Sequence, residues 1–215
     1  MNVALVVVTD GRRELVSQAI TSLDEAIPFV DYRLIVDDSG DENYGNWLEE
    51  QYDSWAILHH PERQGCSAAV RTAWASVASF DYVWHAEDDF TYNEPVDLER
   101  MMGILQSTPY LSQLALKRQP HGPVEGAAGD LMAVEPDRWC DHEDFCHTDT
   151  IFTFNPCLIP KWAIEVALSC QKPMTEPNVT EVFAERHLRF GYLGRTTDPP
   201  RVTHIGDHRM QGWLP

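Results

Sequence analysis

Two hydrophobic rhythms alternate through the first 110 residues of the chain. Short runs of consecutive apolar, β-branched residues read as strands buried on both faces, and stretches with apolar residues three and four apart read as helices packed on one side. Val3–Thr9 is the clearest strand, and the helix after it carries Leu15, Val16, Ala19, Ile20 and Leu23 on one face. Residues 33–38 predict a second strand, 55–58 a weaker third and 82–86 a fourth. Ala69, Val70, Ala73, Trp74 and Val77 mark the helix before the fourth strand, and Leu98, Met101, Met102 and Leu105 the helix after it. The order β-α-β-α-β-α-β-α with short connections predicts an α/β sandwich on a mainly parallel central sheet with right-handed crossovers.

Beyond residue 110 the rhythm loosens. Residues 114–116 and 131–134 read as short strands, separated by Gln119-Pro-His-Gly-Pro123, which has loop chemistry. The stretch 135–150 is polar, acidic and rich in His and Cys; 151–158 resumes as a strand, 162–170 as a helix and 179–190 as a second helix ended by Gly191. A chain of 215 residues builds one sizeable core and is short for two, so a single domain over 1–215 is expected.

The polar residues that end the strands point to chemistry. Three strands finish in Thr9-Asp10-Gly11-Arg12-Arg13, Asp37-Asp38-Ser39 and Glu87-Asp88-Asp89. In an open α/β sheet, ligands bind outside the carboxyl ends of the strands, so these groups share one rim. Adjacent carboxylates repel and raise one another's pKa, and a hard divalent cation relieves them. A solvated acidic turn accounts for any one of the three; their convergence is what a metal-dependent phosphate-ester site requires. Sixteen Lys plus Arg against 34 Asp plus Glu give a net charge of −18, which disfavours nucleic acid and anionic membrane as partners. A small anionic substrate then needs local cations. Five cysteines, odd in number and irregularly spaced, fit reduced thiols and a cytoplasmic location. The apolar start at 3–8 is too short for an export or membrane segment.

The strand Val3-Ala-Leu-Val-Val-Val-Thr9, the segment Ile35-Val-Asp37-Asp38-Ser39-Gly40-Asp41, the element Arg63-Gln-Gly65-Cys-Ser67-Ala-Ala69-Val-Arg71 and Glu87-Asp88-Asp89 occur in an order and spacing that resemble the nucleotide-binding half of a family-2 glycosyltransferase with the GT-A fold. The resemblance implies a nucleotide-sugar-binding half at 1–110 and an acceptor-binding half at 111–215. It implies a donor that is a nucleotide-diphosphate sugar, UDP- or GDP-linked, held with Mn²⁺ or Mg²⁺. Thr9, Asp10, Asp38 and Asp88 are expected to line the nucleotide pocket, Asp89 to ligate the metal, and Arg12, Arg13 and Arg71 to contact phosphate. His204 is expected to complete the metal shell, with His208 or Arg209 as further phosphate contacts.

Inverting transfer also needs a carboxylate base. The candidates are Glu181 and Glu185, four apart on one face of the late helix, with the acids of the 141–149 loop behind them. If Asn178 caps that helix, Glu181 holds the position of a capping-box acid instead. Cys140, His142, Cys146 and His147 admit a zinc reading, although adjacent Cys146 and His147 suit a tetrahedral ion poorly; a loop on the acceptor side is the preferred reading. Two rivals remain: a nucleotidyltransferase of sugar phosphates, disfavoured because the loop after the first strand has one Gly and no Lys, and a non-catalytic nucleotide-sugar-binding module.

Overall fold

The structure is a computed structural model and describes residues 1–206. The elements run in chain order β1 (Val3–Thr9), α1 (Arg13–Ala26), β2 (Tyr32–Asp37), α2 (Glu42–Gln51), β3 (Ala56–His59), α3 (Cys66–Ser76), β4 (Tyr82–Glu87), β5 (Phe90–Tyr92) and α4 (Leu98–Ser107). They continue with β6 (Leu111–Ala115), α5 (Gly122–Ala128), α6 (Leu131–Val134), β7 (Cys140–Asp141), β8 (Phe145–Thr148), β9 (Cys157–Pro160), α7 (Lys161–Leu168), α8 (Glu176–Ala184), β10 (Arg189–Leu193) and β11 (Val202–His204). Among the described residues nine strands form one sheet in the order β3-β2-β1-β4-β9-β6-β10-β8-β7, and β11 pairs with β5 in a separate ribbon. The first four strands are mutually parallel, and β10 runs parallel to β6. No helix of the described residues is long and apolar enough to cross a membrane.

All seven residues of β1 are buried because both faces of the sheet are covered. Val3, Leu5 and Val7 join Val16, Ile20 and Leu23 of α1, Leu48 of α2 and Met101 of α4 in one core. Ala4, Val6 and Val8 join Val70 and Trp74 of α3, Ile164 of α7 and Phe183 of α8 in the other. The period-two alternation of a strand thus divides one continuous apolar run between two layers. Two of the helices between the strands start at acidic caps: Asp41 accepts from Asn43 N at the start of α2, and Asp97 from Arg100 N at the start of α4.

The second half departs from the sequence reading in four places. Residues 131–134 are a single helical turn, not a strand, because Asp130 caps it by accepting from Met132 N at 2.6 Å; four apolar residues alone do not separate helix from strand. Part of the expected loop at 119–123 opens α5, with Pro123 in its first turn, where a missing N–H costs nothing. The strand expected at 151–158 forms only at Cys157–Pro160, and it lies antiparallel between β4 and β6. The helix expected at 179–190 starts earlier, capped by Thr175, and ends at Ala184. His187, with φ 58°, takes the left-handed conformation that turns the chain into β10. Gly191 therefore sits inside a strand, where a Cβ would lie 3.0 Å from Gln113 O.

Candidate functional site

The carboxyl ends of β1 and β4 are adjacent, since Thr9 follows Val8 and Val8 is paired with Glu87. Asp88 N donates to Val8 O at 3.1 Å, which carries β4 into the loop beside β1. Thr9 Oγ1 then donates to Asp88 Oδ2 at 2.6 Å and takes the hydroxyl proton of Tyr44 at 2.8 Å. Burial pushes the Asp88 carboxyl up to about 7 against the opposing pull of Arg12. Glu87, half-buried, is raised well above the usual range by burial and then by Asp89, Glu176 and Asp88.

Arg12 gathers three of these acids. Its guanidinium lies 2.8 Å from Asp10 Oδ1 and 2.9 Å from Asp89 Oδ2, and it pairs with Asp88 Oδ1. Burial works against its charge, but the three carboxylates more than restore it and hold the proton on. Arg13 lies over the Trp47 ring at 5.0 Å. Gly11, Arg12, Arg13, Asp41, Tyr44 and Ile205 line the cleft beside the cluster, with a cavity of about 530 Å³.

The β5–β11 ribbon delivers the remaining member from far along the chain. His204 pairs with Phe90, Ile205 N donates to Asp89 O at 2.8 Å, and His204 Nε2 comes to 3.4 Å from Asp89 Oδ2. Gln119 fixes the His204 backbone from both sides, donating to its carbonyl and accepting from its N–H, each at 2.8 Å. Burial raises Asp89, but the His204 hydrogen bond and the Arg12 charge outweigh it and leave the carboxyl below its ordinary value. Its second oxygen, Oδ1, is buried with no hydrogen-bond partner. A buried carboxylate oxygen left without a partner is costly. An unpartnered carboxylate oxygen, with an imidazole nitrogen 3.4 Å from the other oxygen of the same group, suits a hard divalent cation such as Mn²⁺ or Mg²⁺.

Of the residues proposed from sequence, Thr9, Asp10, Arg12, Arg13, Asp88, Asp89 and His204 come together at this rim. Asp38, Arg71 and Glu181 are engaged by other groups of the chain, and Glu185 lies on an exposed helix end. Asp38 is fully buried and serves the scaffold: it accepts from His60 Nδ1 at 2.8 Å, Gln64 N at 2.9 Å and Gly65 N at 2.7 Å, filling three of its roughly four acceptor positions. Arg71 lies five residues into α3, about 7–8 Å from its start. Its guanidinium donates to Leu168 O, at the end of α7, and to Cys170 O and Lys172 O in the segment that follows. Glu181 is exposed and paired with Lys172, and Glu185 is the exposed C-cap of α8. His208 and Arg209 lie outside the described residues.

Glu176, at the first position of α8 and not among the candidates named from sequence, is the carboxylate of that helix whose charge raises the Glu87 pKa. It accepts from Phe154 N at 2.8 Å, and burial raises its pKa in spite of that bond and one from Thr153. The signal was present in Thr175-Glu176-Pro177, an N-cap followed by Pro in the first turn.

A sequence model of glycosyl transferase family 2 matches residues 4–150. No curated protein sequence matches the chain. Among solved structures, that of GalNAc-T7 with UDP, GalNAc and Mn²⁺ aligns with a TM-score of 0.67 at 10% identity, over 99% of this chain and 45% of that one. The mannosyltransferase PcManGT from Pyrobaculum calidifontis in complex with GDP-Man and Mn²⁺ aligns with a TM-score of 0.67 at 16% identity, over 97% of this chain and 58% of that one. The chain thus spans about half the length of these two proteins, and the likeness establishes the GT-A fold.

Proposed function

The chain belongs to glycosyl transferase family 2, and from that premise we propose that it is a metal-dependent, inverting glycosyltransferase. It takes a hexose or pentose from a UDP- or GDP-linked donor and passes it to a hydroxyl acceptor, in the cytoplasm, where its five free cysteines stay reduced. The observation that carries this reading is Asp89: a carboxylate with one oxygen tied to Arg12 and His204 and the other buried without a partner.

Asp89, His204 and Asp88 are the residues that would hold the ion. Bound there, it supplies positive charge against the donor's phosphates as the leaving group departs. Thr9, itself accepting from the Tyr44 hydroxyl, fixes the Asp88 carboxylate by a hydrogen bond. Arg13, on the cleft wall, offers a forked donor to phosphate oxygens, and Arg12 adds its charge from among the acids. Glu176 takes the acceptor's proton from the face opposite the nucleotide. In that step the acceptor oxygen bonds to the anomeric carbon as the carbon's bond to the phosphate oxygen breaks. The bonding pair leaves with the nucleoside diphosphate, and the hydroxyl proton passes to the Glu176 carboxylate.

Incubation with Mn²⁺ and a panel of nucleotide sugars, with release of nucleoside diphosphate as the readout, tests the activity. Slow hydrolysis of one donor is expected, lost in Asp89→Ala. Tight binding across the panel with no turnover contradicts an enzyme, and a product that keeps the donor's anomeric configuration contradicts inversion.

A further inference from the structure

At the far edge of the nine-stranded sheet, β7 and β8 bring together a second set of side chains of different chemistry. Cys140 and His147 are directly opposed across the antiparallel ladder, a relation that puts two Cβ atoms about 4.5–5.5 Å apart on one face. His142 lies two residues past Cys140, and its N–H donates to Phe145 O at 2.8 Å, so the pairing continues to it and the pleat returns its side chain to that face. The His142 and His147 rings stack with centroids 5.0 Å apart at 21°, and Nε2 of the first lies 3.0 Å from Nδ1 of the second. One donor atom from each of Cys140, His142 and His147 falls within 4.8 Å of the others. Cys146 is on the opposite face, buried with its Sγ 3.8 Å from Met132 Sδ. Strand alternation therefore separates the adjacent pair Cys146 and His147 and leaves a set of three.

We infer that Cys140, His142 and His147 form a zinc site, closed by water in the fourth position. A thiolate with two imidazoles is a donor set zinc favours, and it is unlike the oxygen-rich rim of the donor cleft. Tetrahedral bonds of about 2.0–2.3 Å place ligand atoms roughly 3.3–3.7 Å apart, between the 3.0 Å of the two ring nitrogens and the 4.8 Å limit of the trio. Shifts of about 1 Å in exposed or half-buried side chains close that gap. The rings are already aimed by their neighbours: Phe145 stacks on His142 at 4.3 Å and Tyr110 meets His147 edge-on at 5.5 Å. Binding frees the Cys140 thiol proton and moves the proton shared between the two imidazoles to an outer ring nitrogen. The ion ties down an edge strand of only two residues, the kind of edge that otherwise invites unwanted pairing. It also steadies the loop after β10, whose Thr196 donates from N and Oγ1 to Asp141 at 2.8 and 2.9 Å.

The test is titration of the chelator-treated, reduced full chain with Zn²⁺ by calorimetry and with Co²⁺ by absorption. One Zn²⁺ per chain is expected at this site, together with a thiolate-to-Co²⁺ charge-transfer band. Both should weaken by about 100-fold or more in Cys140→Ser and again in His142→Gln. They should persist in Cys170→Ser and in Asp89→Asn, which alters the donor cleft alone. Cys140 is exposed, so its substitution spares the core, and thermal melts of the metal-free variants check that. A thiolate band that survives Cys140→Ser, that disappears in Asp89→Asn, or that never forms overturns the assignment, whatever the outcome with nucleotide sugars.

Discussion

His85 makes the fold sensitive to acid in a way the donor cleft does not. It lies in the middle of β4, fully buried, with its ring packed against Trp74 and Phe154. Trp74 Nε1 donates to its Nδ1 at 3.3 Å, so the ring proton is on Nε2, which is buried and finds no acceptor. Burial alone lowers its pKa to about 3, against about 6.5 in the unfolded chain. Between those two values the unfolded state binds more protons than the folded one, so stability rises with pH across that window. The contribution is fully present above about pH 6.5 and is lost as pH falls toward 3. At pH 5 the loss is RT ln(1 + 10^1.5), about 2 kcal/mol, and it approaches about 4–5 kcal/mol near pH 3. His85→Leu removes the titration. It also removes the unpartnered Nε2–H while leaving Trp74 Nε1 without its acceptor, two effects of about 1–3 kcal/mol that oppose each other near neutrality. Urea unfolding of both proteins at pH 7.5 and pH 5.0 measures the difference, and titrations common to both cancel. The wild type should lose about 2 kcal/mol more than the variant on going to pH 5. Parallel losses in the two proteins refute the reasoning.

Gly206→Ala places a Cβ 2.5 Å from Asp89 Oδ2; donor turnover should fall on the order of 100-fold with little change in melting temperature, and unchanged turnover contradicts the role given to Asp89. Arg12→Gln leaves three carboxylates without their cation, so the metal-free protein should lose about 3–5 kcal/mol. Mn²⁺ should then raise its melting temperature by more than it raises that of the wild type, and an equal or smaller rise counts against a shared site. Glu176→Gln should lower kcat by about 10²–10⁴, whereas Glu181→Gln should leave it within about twofold, as expected for a solvent-screened pair. Because the Glu176 pKa is raised and a base acts deprotonated, wild-type activity should climb with pH through a value above the usual carboxylate range, and that limb should vanish in the Gln variant. Gly191→Ala should destabilise by about 1–3 kcal/mol through its contact with Gln113 O, read by denaturant unfolding.

The sequence disclosed most where local pattern and tertiary environment agree. β1, β2 and β4 are apolar runs buried on both faces and ended by acids, so their existence, their parallel pairing and the rim they share follow from composition alone. The strand at 151–158 failed because Phe152 and Phe154 are apolar for another reason: they form an aromatic cluster with Trp74. Pro156 precedes the true start at Cys157, and the antiparallel insertion of β9 depends on partners about 40 and 75 residues away, which no local window contains. In α8 both ends differ from the reading of the sequence, which has Asn178 as the cap and Gly191 as the stop, whereas the cap is Thr175. The stop is His187, a residue type that visits the left-handed region more often than most. Glu176 lies before the expected start of that helix, so it was not among the candidates. The hydrogen bonds of Asp38 and Arg71 to other parts of the chain were not legible either, because a motif names residue types and not their internal partners.

The arrangement around Asp89 shows how a chain with a charge of −18 can present a site to phosphates. Two groups of different origin meet at Asp89: Arg12, in the loop that leaves β1, and His204, which arrives more than 100 residues later. The second depends on the ribbon of β5 and β11, three residue pairs long, and on pins from the segment after β6. Those pins are Gln119 on the His204 backbone and Lys117 O, which accepts from Arg201 N at 2.8 Å. None of these contacts belongs to the strand pairing of the nine-stranded sheet. Val202 of the ribbon is fully buried in the core, so substitutions that spare it, at Gln119 or Gly206, should weaken donor binding with little loss of stability, where substitutions in β1 or β4 cannot separate the two.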